Sequence, residues 1–142
     1  MKPTLSILRP RYLLTALVTG LLSACGGTHS PLGSVDDWTF VNYWAQWCKP
    51  CIREIPELNT LHGEDGYTVL GVNYDGAQGE ELARQVQTLG VAFPTLAEDP
   101  AEILGTERPA VLPTTLVLAP GGKLHQVLVG PQTVESLREA TR

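Results

Sequence analysis

Cys48 and Cys51, with two residues between them, are the side chains best suited to chemistry in this sequence. A lone Cys-x-x-Cys pair serves three common ends: part of a zinc site, covalent attachment of haem, or a redox dithiol. Zinc asks for two further ligands. There is no second Cys-x-x-Cys and no paired histidine motif, and His29, His62 and His125 are scattered singly, as surface or packing residues are. Haem attachment asks for His directly after the second Cys, where position 52 is Ile. A redox dithiol asks only for the pair at a helix start beside a strand, and the flanking residues supply both. Such chemistry uses the two sulfurs themselves, so no metal or organic cofactor is expected.

The strand is residues 39–45, Thr-Phe-Val-Asn-Tyr-Trp-Ala, rich in the β-branched and aromatic side chains that fill buried strands. The helix runs from 49 to about 62, with Ile52, Ile55, Leu58 and Leu61 expected along one face. Cys48 then falls at the helix N-terminus, where unpaired N–H groups and the positive end of the dipole favour a thiolate over a thiol. Lys49 adds a neighbouring positive charge. Pro50 costs little in the first turn, because its missing N–H would have no partner there. Pro56, further in, removes a hydrogen bond and is expected to kink the helix. Cys51, one turn on, lies within disulfide reach of Cys48 and is expected to be the less exposed. The spacing supplies one sulfur that attacks and a second that resolves the mixed disulfide.

Trp44-Ala45-Gln46-Trp47-Cys48-Lys49-Pro50-Cys51 resembles the active-site signature of the thioredoxin superfamily. The continuation Arg53-Glu54-Ile55-Pro56-Glu57-Leu58 is similar to the TlpA/ResA-like branch, the membrane-anchored extracytoplasmic thiol–disulfide oxidoreductases. That branch has Glu three and Pro five residues after the second Cys, matched by Glu54 and Pro56. Asn42 stands where cytoplasmic thioredoxins usually have a buried Asp. The resemblance runs from about residue 38 to the C-terminus. It implies an α/β, thioredoxin-like fold with a central mixed β-sheet flanked by helices and a TlpA-type insertion.

The same resemblance assigns catalysis to Cys48 and Cys51 and makes Trp47 part of the substrate surface. Glu54 has two readings: an ordinary first-turn acid favoured by the helix dipole, or a carboxylate that moves a proton to or from Cys51. Pro113, in Pro113-Thr114-Thr115, matches the superfamily proline that is cis and packs against the dithiol, although cis occurs at only about 5% of X–Pro bonds in general. The backbone of Leu112 would then be free to pair with an extended substrate. The activity implied is reduction of protein disulfides, with electrons from a membrane reductase of the DsbD/CcdA type and apocytochrome c maturation as one family role. Two rivals share part of the chemistry. A thioredoxin-fold thiol peroxidase normally has Thr-x-x before its reactive Cys, where this chain has Ala45-Gln46-Trp47. A non-catalytic binding module would use the same groove only for docking.

Beyond the dithiol helix, residues 67–74 read as a nearly continuous apolar strand, and 79–89 as a helix with Leu82, Val86 and Leu89 inward. Residues 92–99 and 101–104 read as a short strand and a short helix that form the insertion. Residues 115–118 and 123–129 form a hairpin through Ala119-Pro120-Gly121-Gly122, whose Pro and Gly suit a type II turn. A helix at about 134–141 closes the domain.

The first 24 residues read as an address. Lys2, Arg9 and Arg11 precede an apolar stretch, 13–22, shorter than the roughly 20 apolar residues of a spanning helix. Leu22-Ser23-Ala24-Cys25 resembles the bacterial lipobox, where the chain is cut before a Cys that receives several acyl chains, enough for stable anchoring to the membrane. Residues 1–24 are then the signal peptide, 25–37 a lipid-attached flexible linker and 38–142 the folded domain. The protein is expected in the bacterial cell envelope, facing the periplasm. Gly26, in place of the Asp that retains lipoproteins in the inner membrane, favours the outer membrane of a Gram-negative host. Without the first 24 residues the chain keeps 7 basic and 15 acidic residues, a net charge of −8 that excludes nucleic acid as a natural partner.

Overall fold

The β-branched and aromatic run after Asp37 forms the strand expected of it, and the rest of the chain is arranged around that strand. The computed structural model describes residues 32, 33 and 35–142. Within them the order is β1 (Trp38–Trp44), α1 (Lys49–His62), β2 (Tyr67–Asn73), α2 (Gly79–Leu89), β3 (Thr95–Leu96), β4 (Thr114–Leu118), β5 (Leu124–Val129) and α3 (Val134–Glu139). The signal segment, Cys25 and His29 lie outside the described residues.

The sheet order is β3-β2-β1-β4-β5, with β1 in the middle. β1 and β2 are parallel, Trp38 beside Tyr67 and Trp44 beside Asn73, as a strand–helix–strand unit requires. β4 runs antiparallel along the other side of β1, with Tyr43 beside Thr114, and β5 pairs antiparallel with β4. The sheet is therefore mixed, and the fold is thioredoxin-like. Successive steps from β1 to β2 to β3 go the same way across the sheet, so right-handed crossovers bring α1 and α2 to one face. There Phe40, Trp44, Ile55, Leu58 and Leu137 are fully buried, and Leu82, Val86 and Leu89 of α2 pack half-buried against them. The opposite face presents Val41, Tyr43, Val72, Leu116 and Leu118, covered in part by Leu32 from before β1 and by Leu104 and Leu112 from the loop before β4.

Several local expectations are corrected. Ile52 is exposed; the buried stripe of α1 is Cys51, Glu54, Ile55, Leu58 and Leu61. A residue every third position lags the helix by about 60° per step, so the apolar series read from the sequence drifts off the buried face at its first member. The extent of α1 is as expected, from Lys49 past Pro56 to His62, with the proline on its exposed side. The only buried side chain of α2 is polar, Gln85, which accepts from Asn73 Nδ2 at 2.9 Å. Residues 101–104 form turns in place of a helix: Leu104 N–H donates to Pro100 C=O and Thr106 N–H to Ala101 C=O, both at 3.0 Å. Gly105, at φ 67°, stops the coil after one turn. Residues 92–99 pair as a strand only over Thr95–Leu96.

The far end of the linker is docked, not free. Val35 C=O accepts from Gly121 N–H at 2.7 Å, in the β4–β5 turn, and Leu32 packs on the sheet. That turn is of the expected kind, with Gly122 N–H bonded to Ala119 C=O at 2.9 Å and Gly121 at φ 92°.

Candidate active site

From Trp44 the chain turns, Cys48 N–H donating to Ala45 C=O at 3.1 Å, and enters α1. Cys48 is the N-cap. Its backbone is extended, its C=O accepts from Ile52 N–H at 3.1 Å, and its Sγ accepts from Cys51 N–H at 3.3 Å. A sulfur held there faces the unpaired donors at the head of the helix, the environment that stabilises a thiolate. Cys48 and Cys51 form a disulfide with Cα atoms 5.3 Å apart. Their exposures are 4% and 1%, so the expected contrast in burial is small. The cleft separates them instead: both pack into the core, but Cys48 also lines a cleft and Cys51 does not.

One turn beyond Cys51, Glu54 lies on the buried stripe, 1% exposed. It stands past the first turn of α1, which contains no acid, so the reading as a solvated dipole partner fails. Its Oε1 accepts from Gln132 N–H at 3.2 Å and its Oε2 from Asn42 Nδ2 at 3.5 Å. Asn42 Nδ2 also donates to Thr115 Oγ1 at 2.9 Å, while Asn42 Oδ1 is buried without a partner among the described residues. Burial outweighs the two hydrogen bonds and pushes the Glu54 carboxyl up to about 7. Such a group exchanges its proton near neutrality, as a proton carrier must.

The cleft beside Cys48 has a volume of about 450 Å³. Three chain segments line it: Trp47, Lys49 and Pro50 at the head of α1, Tyr74 just after β2, and Ala110 with Leu112 before β4. Trp47 is 60% exposed, and its Nε1 donates to both carboxylate oxygens of Asp75, at 2.9 and 3.1 Å. The Leu112–Pro113 bond is cis, as the resemblance implied. Pro113 C=O accepts from Gly130 N–H at 2.9 Å, whereas neither the N–H nor the C=O of Leu112 has a partner among the described residues. The structure thus gathers Trp47, Cys48 and Leu112 around one opening, with Pro113 buried directly behind Leu112 in the chain and Cys51 and Glu54 on the core side of α1.

Sequence reasoning missed Tyr74, Asp75, Arg108 and Gln132. For the first two a signal existed: ligand crevices of open α/β sheets lie beyond the carboxyl ends of parallel strands, and Tyr74-Asp75 directly follows β2. Arg108 belongs to the connection between β3 and β4 and Gln132 to the loop before α3, and nothing in their neighbours marked either. The two described histidines do not line the cleft. His62 Nδ1 accepts from Val69 N–H at 3.1 Å, and His125 packs edge-on against Trp38 with ring centroids 5.1 Å apart. Among the described residues, no three His, Cys, Asp or Glu side chains are grouped as metal ligands would be.

By its fold and the place of its disulfide this is a thioredoxin-like protein. More particularly, the chain belongs to the AhpC/TSA family, whose sequence profile matches residues 22–127. It is similar to the thiol-disulfide oxidoreductase ResA of Geobacillus thermodenitrificans (strain NG80-2), at 30% identity over 103 residues that cover 70% of this chain and 59% of that protein. The chain therefore spans less than two thirds of that relative's length. A DsbF homologue from Corynebacterium diphtheriae superposes with a TM-score of 0.64 at 28% identity, covering 74% of this chain and 70% of the other. StoA from Bacillus subtilis superposes with a TM-score of 0.61 at 23% identity, over 78% and 87% of the two chains, a likeness of fold.

Proposed function

We propose that this chain is an envelope thiol–disulfide oxidoreductase that reduces disulfides in protein substrates. The observation behind this reading is the placement of the sulfur pair: Cys48 caps α1 and faces the cleft, with Cys51 enclosed behind it. In the reduced protein, the Cys48 thiolate attacks a substrate disulfide. An S–S bond forms between Cys48 and one substrate sulfur, and the other leaves with the electron pair and takes a proton. Cys51 passes its proton to the Glu54 carboxylate and attacks Cys48 Sγ. The mixed disulfide breaks, the second substrate thiolate leaves and is protonated, and the Cys48–Cys51 disulfide closes. Two electrons and two protons have reached the substrate.

Trp47 and the main chain of Leu112, unpaired among the described residues and followed by the cis Pro113, offer the substrate an apolar surface and an edge for strand-like pairing. Restoring the dithiol needs a reductant, for which we propose a membrane reductase of the DsbD/CcdA type; apocytochrome c is one candidate among the protein substrates. The cycle uses no metal or organic cofactor. Leu22-Ser23-Ala24-Cys25 supports removal of residues 1–24 and lipid attachment at Cys25, with Gly26 favouring the outer membrane. No helix among the described residues is long and apolar enough to cross a membrane.

The test separates the two sulfurs. Removing Cys51 permits the first attack and blocks release, so Cys51→Ala in the native envelope is expected to accumulate covalent, dithiothreitol-sensitive complexes with other proteins. Cys48→Ala is expected to form almost none. Equal trapping by both variants, or by neither when reduced protein meets oxidised substrate, overturns the reading. Consumption of hydrogen peroxide without reduction of insulin would assign the chain to the thiol peroxidases instead.

A further inference from the structure

Two residues that touch neither sulfur tie the segments of the cleft together, and both ties converge on the dipeptide after β2. Asp75 holds the indole N–H of Trp47 with both carboxylate oxygens. Tyr74 is held from the other side. The Arg108 guanidinium lies over its ring, 4.0 Å from the centroid, and donates through one NH2 group to Tyr74 C=O, while the Tyr74 hydroxyl donates to Pro109 C=O at 3.0 Å. Arg108 Nε also pairs with Asp99 Oδ2 at 3.1 Å. Asp99 is itself fixed, its Oδ1 accepting from Tyr43 OH at 2.6 Å and from Ala101 N–H at 3.0 Å. Tyr43 is fully buried in β1, and burial, aided by the Asp99 hydrogen bond, pushes its phenol far up, so it remains a donor. The loop that contributes Ala110 and Leu112 to the cleft is thereby fastened to the middle strand of the sheet.

We propose that Asp75 and Arg108 are positioning residues that set the spacing between Trp47 and the Ala110–Leu112 segment, and so decide how well the cleft grips an extended polypeptide. The inference rests on the oxidoreductase reading and adds the residues that determine its substrate grip. A small disulfide needs only access to Cys48 and makes no use of the two walls. A protein substrate must lie between Trp47 and Leu112 while its disulfide meets Cys48, so its binding depends on both ties. Arg suits the task because its planar guanidinium stacks on the ring and hydrogen-bonds in the same pose, which the Lys ammonium does not.

The experiment compares reduction of insulin with reduction of Ellman's reagent by the reduced protein. In Asp75→Ala and Arg108→Ala, KM for insulin is expected to rise about tenfold, the consequence of losing one charge-assisted hydrogen bond. The turnover number for insulin and the rate with Ellman's reagent are expected to stay within about twofold of wild type. Asp75→Asn keeps one neutral carbonyl acceptor for the indole and is expected to recover part of the loss, with KM between wild type and Asp75→Ala, whereas Arg108→Lys is expected to behave like Arg108→Ala. Unchanged KM for insulin in both alanine variants overturns the inference. So does a parallel fall with both disulfides, which would indicate general damage to the dithiol. Wild-type protein inert to both compounds would overturn the oxidoreductase reading itself and this inference with it.

Discussion

Glu54 is a residue whose ionisation couples to folding close to neutral pH. Its carboxyl rises from an ordinary 4.5 to about 7 through burial, so between those pH values the folded chain keeps a proton that the unfolded chain has released. Stability from this source is complete below pH 4.5 and falls as pH rises towards 7, by on the order of 3 kcal/mol in total. Glu54→Gln, which stays neutral, is expected to remove that slope. Urea unfolding of the oxidised protein should show the variant gaining on wild type by about 2–3 kcal/mol between pH 4.5 and pH 8. Parallel pH dependence in the two proteins would count against a buried, proton-exchanging carboxyl. Insulin reduction by wild type is also expected to inflect near pH 7, and the variant's profile to be flatter there. The Cys-x-x-Cys pair and the glutamate three residues on were legible as a motif. The burial of Glu54 was legible too, in the Cys51, Glu54, Ile55, Leu58 spacing, but a charged residue in an apolar stripe reads as a break in the stripe. Gln132 and Asn42, which hold it, come from distant parts of the chain, and only the fold brings them together.

Among the elements, those with a strong period were readable and those defined by tertiary contacts were not. β1, β2 and β4 are runs of β-branched and aromatic residues, and their interiors are buried as such runs require. The chain between β3 and β4 has no period. Its shape comes from the Asp99, Tyr43 and Arg108 contacts, and residues 101–104 make one turn there instead of a helix. Gly71, in the middle of β2, shows how closely the elements then meet. A Cβ there would stand 2.7 Å from Trp44 Nε1, 3.0 Å from Thr95 Oγ1 and 3.1 Å from Phe93 Cε2. Trp44 is fully buried and Phe93 nearly so, so neither ring has space to withdraw into. Gly71→Ala is expected to destabilise the protein by about 1–3 kcal/mol through overpacking. Thermal unfolding measures it, and an unchanged or higher midpoint would mean that β1, β2 and β3 are packed less tightly than these distances imply.

At the scale of the whole molecule, the two ends of β1 divide the labour. Its carboxyl end leads to Cys48 and the cleft, while Val35, before its amino end, is docked against the turn between β4 and β5. The proposed lipid site enters from the second end. Cys25 lies seven residues before Leu32, where the described, sheet-packed segment begins, so even a fully extended chain between them spans at most about 25 Å. Part of the linker read as flexible from its Gly, Ser and Pro content is therefore held by the domain. The sequence could not reveal this, because Leu32 and Val35 find their partners on β-strands and a turn far along the chain. An anchor attached at the end away from the dithiol is expected to control where the protein resides without altering its chemistry. Cys25→Ala should move the chain from the membrane fraction to the soluble envelope fraction, or leave it uncleaved, while the purified domain from residue 26 onward reduces insulin at the wild-type rate. Fractionation after signal cleavage, followed by the insulin assay, tests both halves. A cleaved variant that stays with the membrane defeats the lipid assignment. A freed domain that loses activity would show that the tether takes part in the fold around the cleft, contrary to its docking at the opposite end of β1.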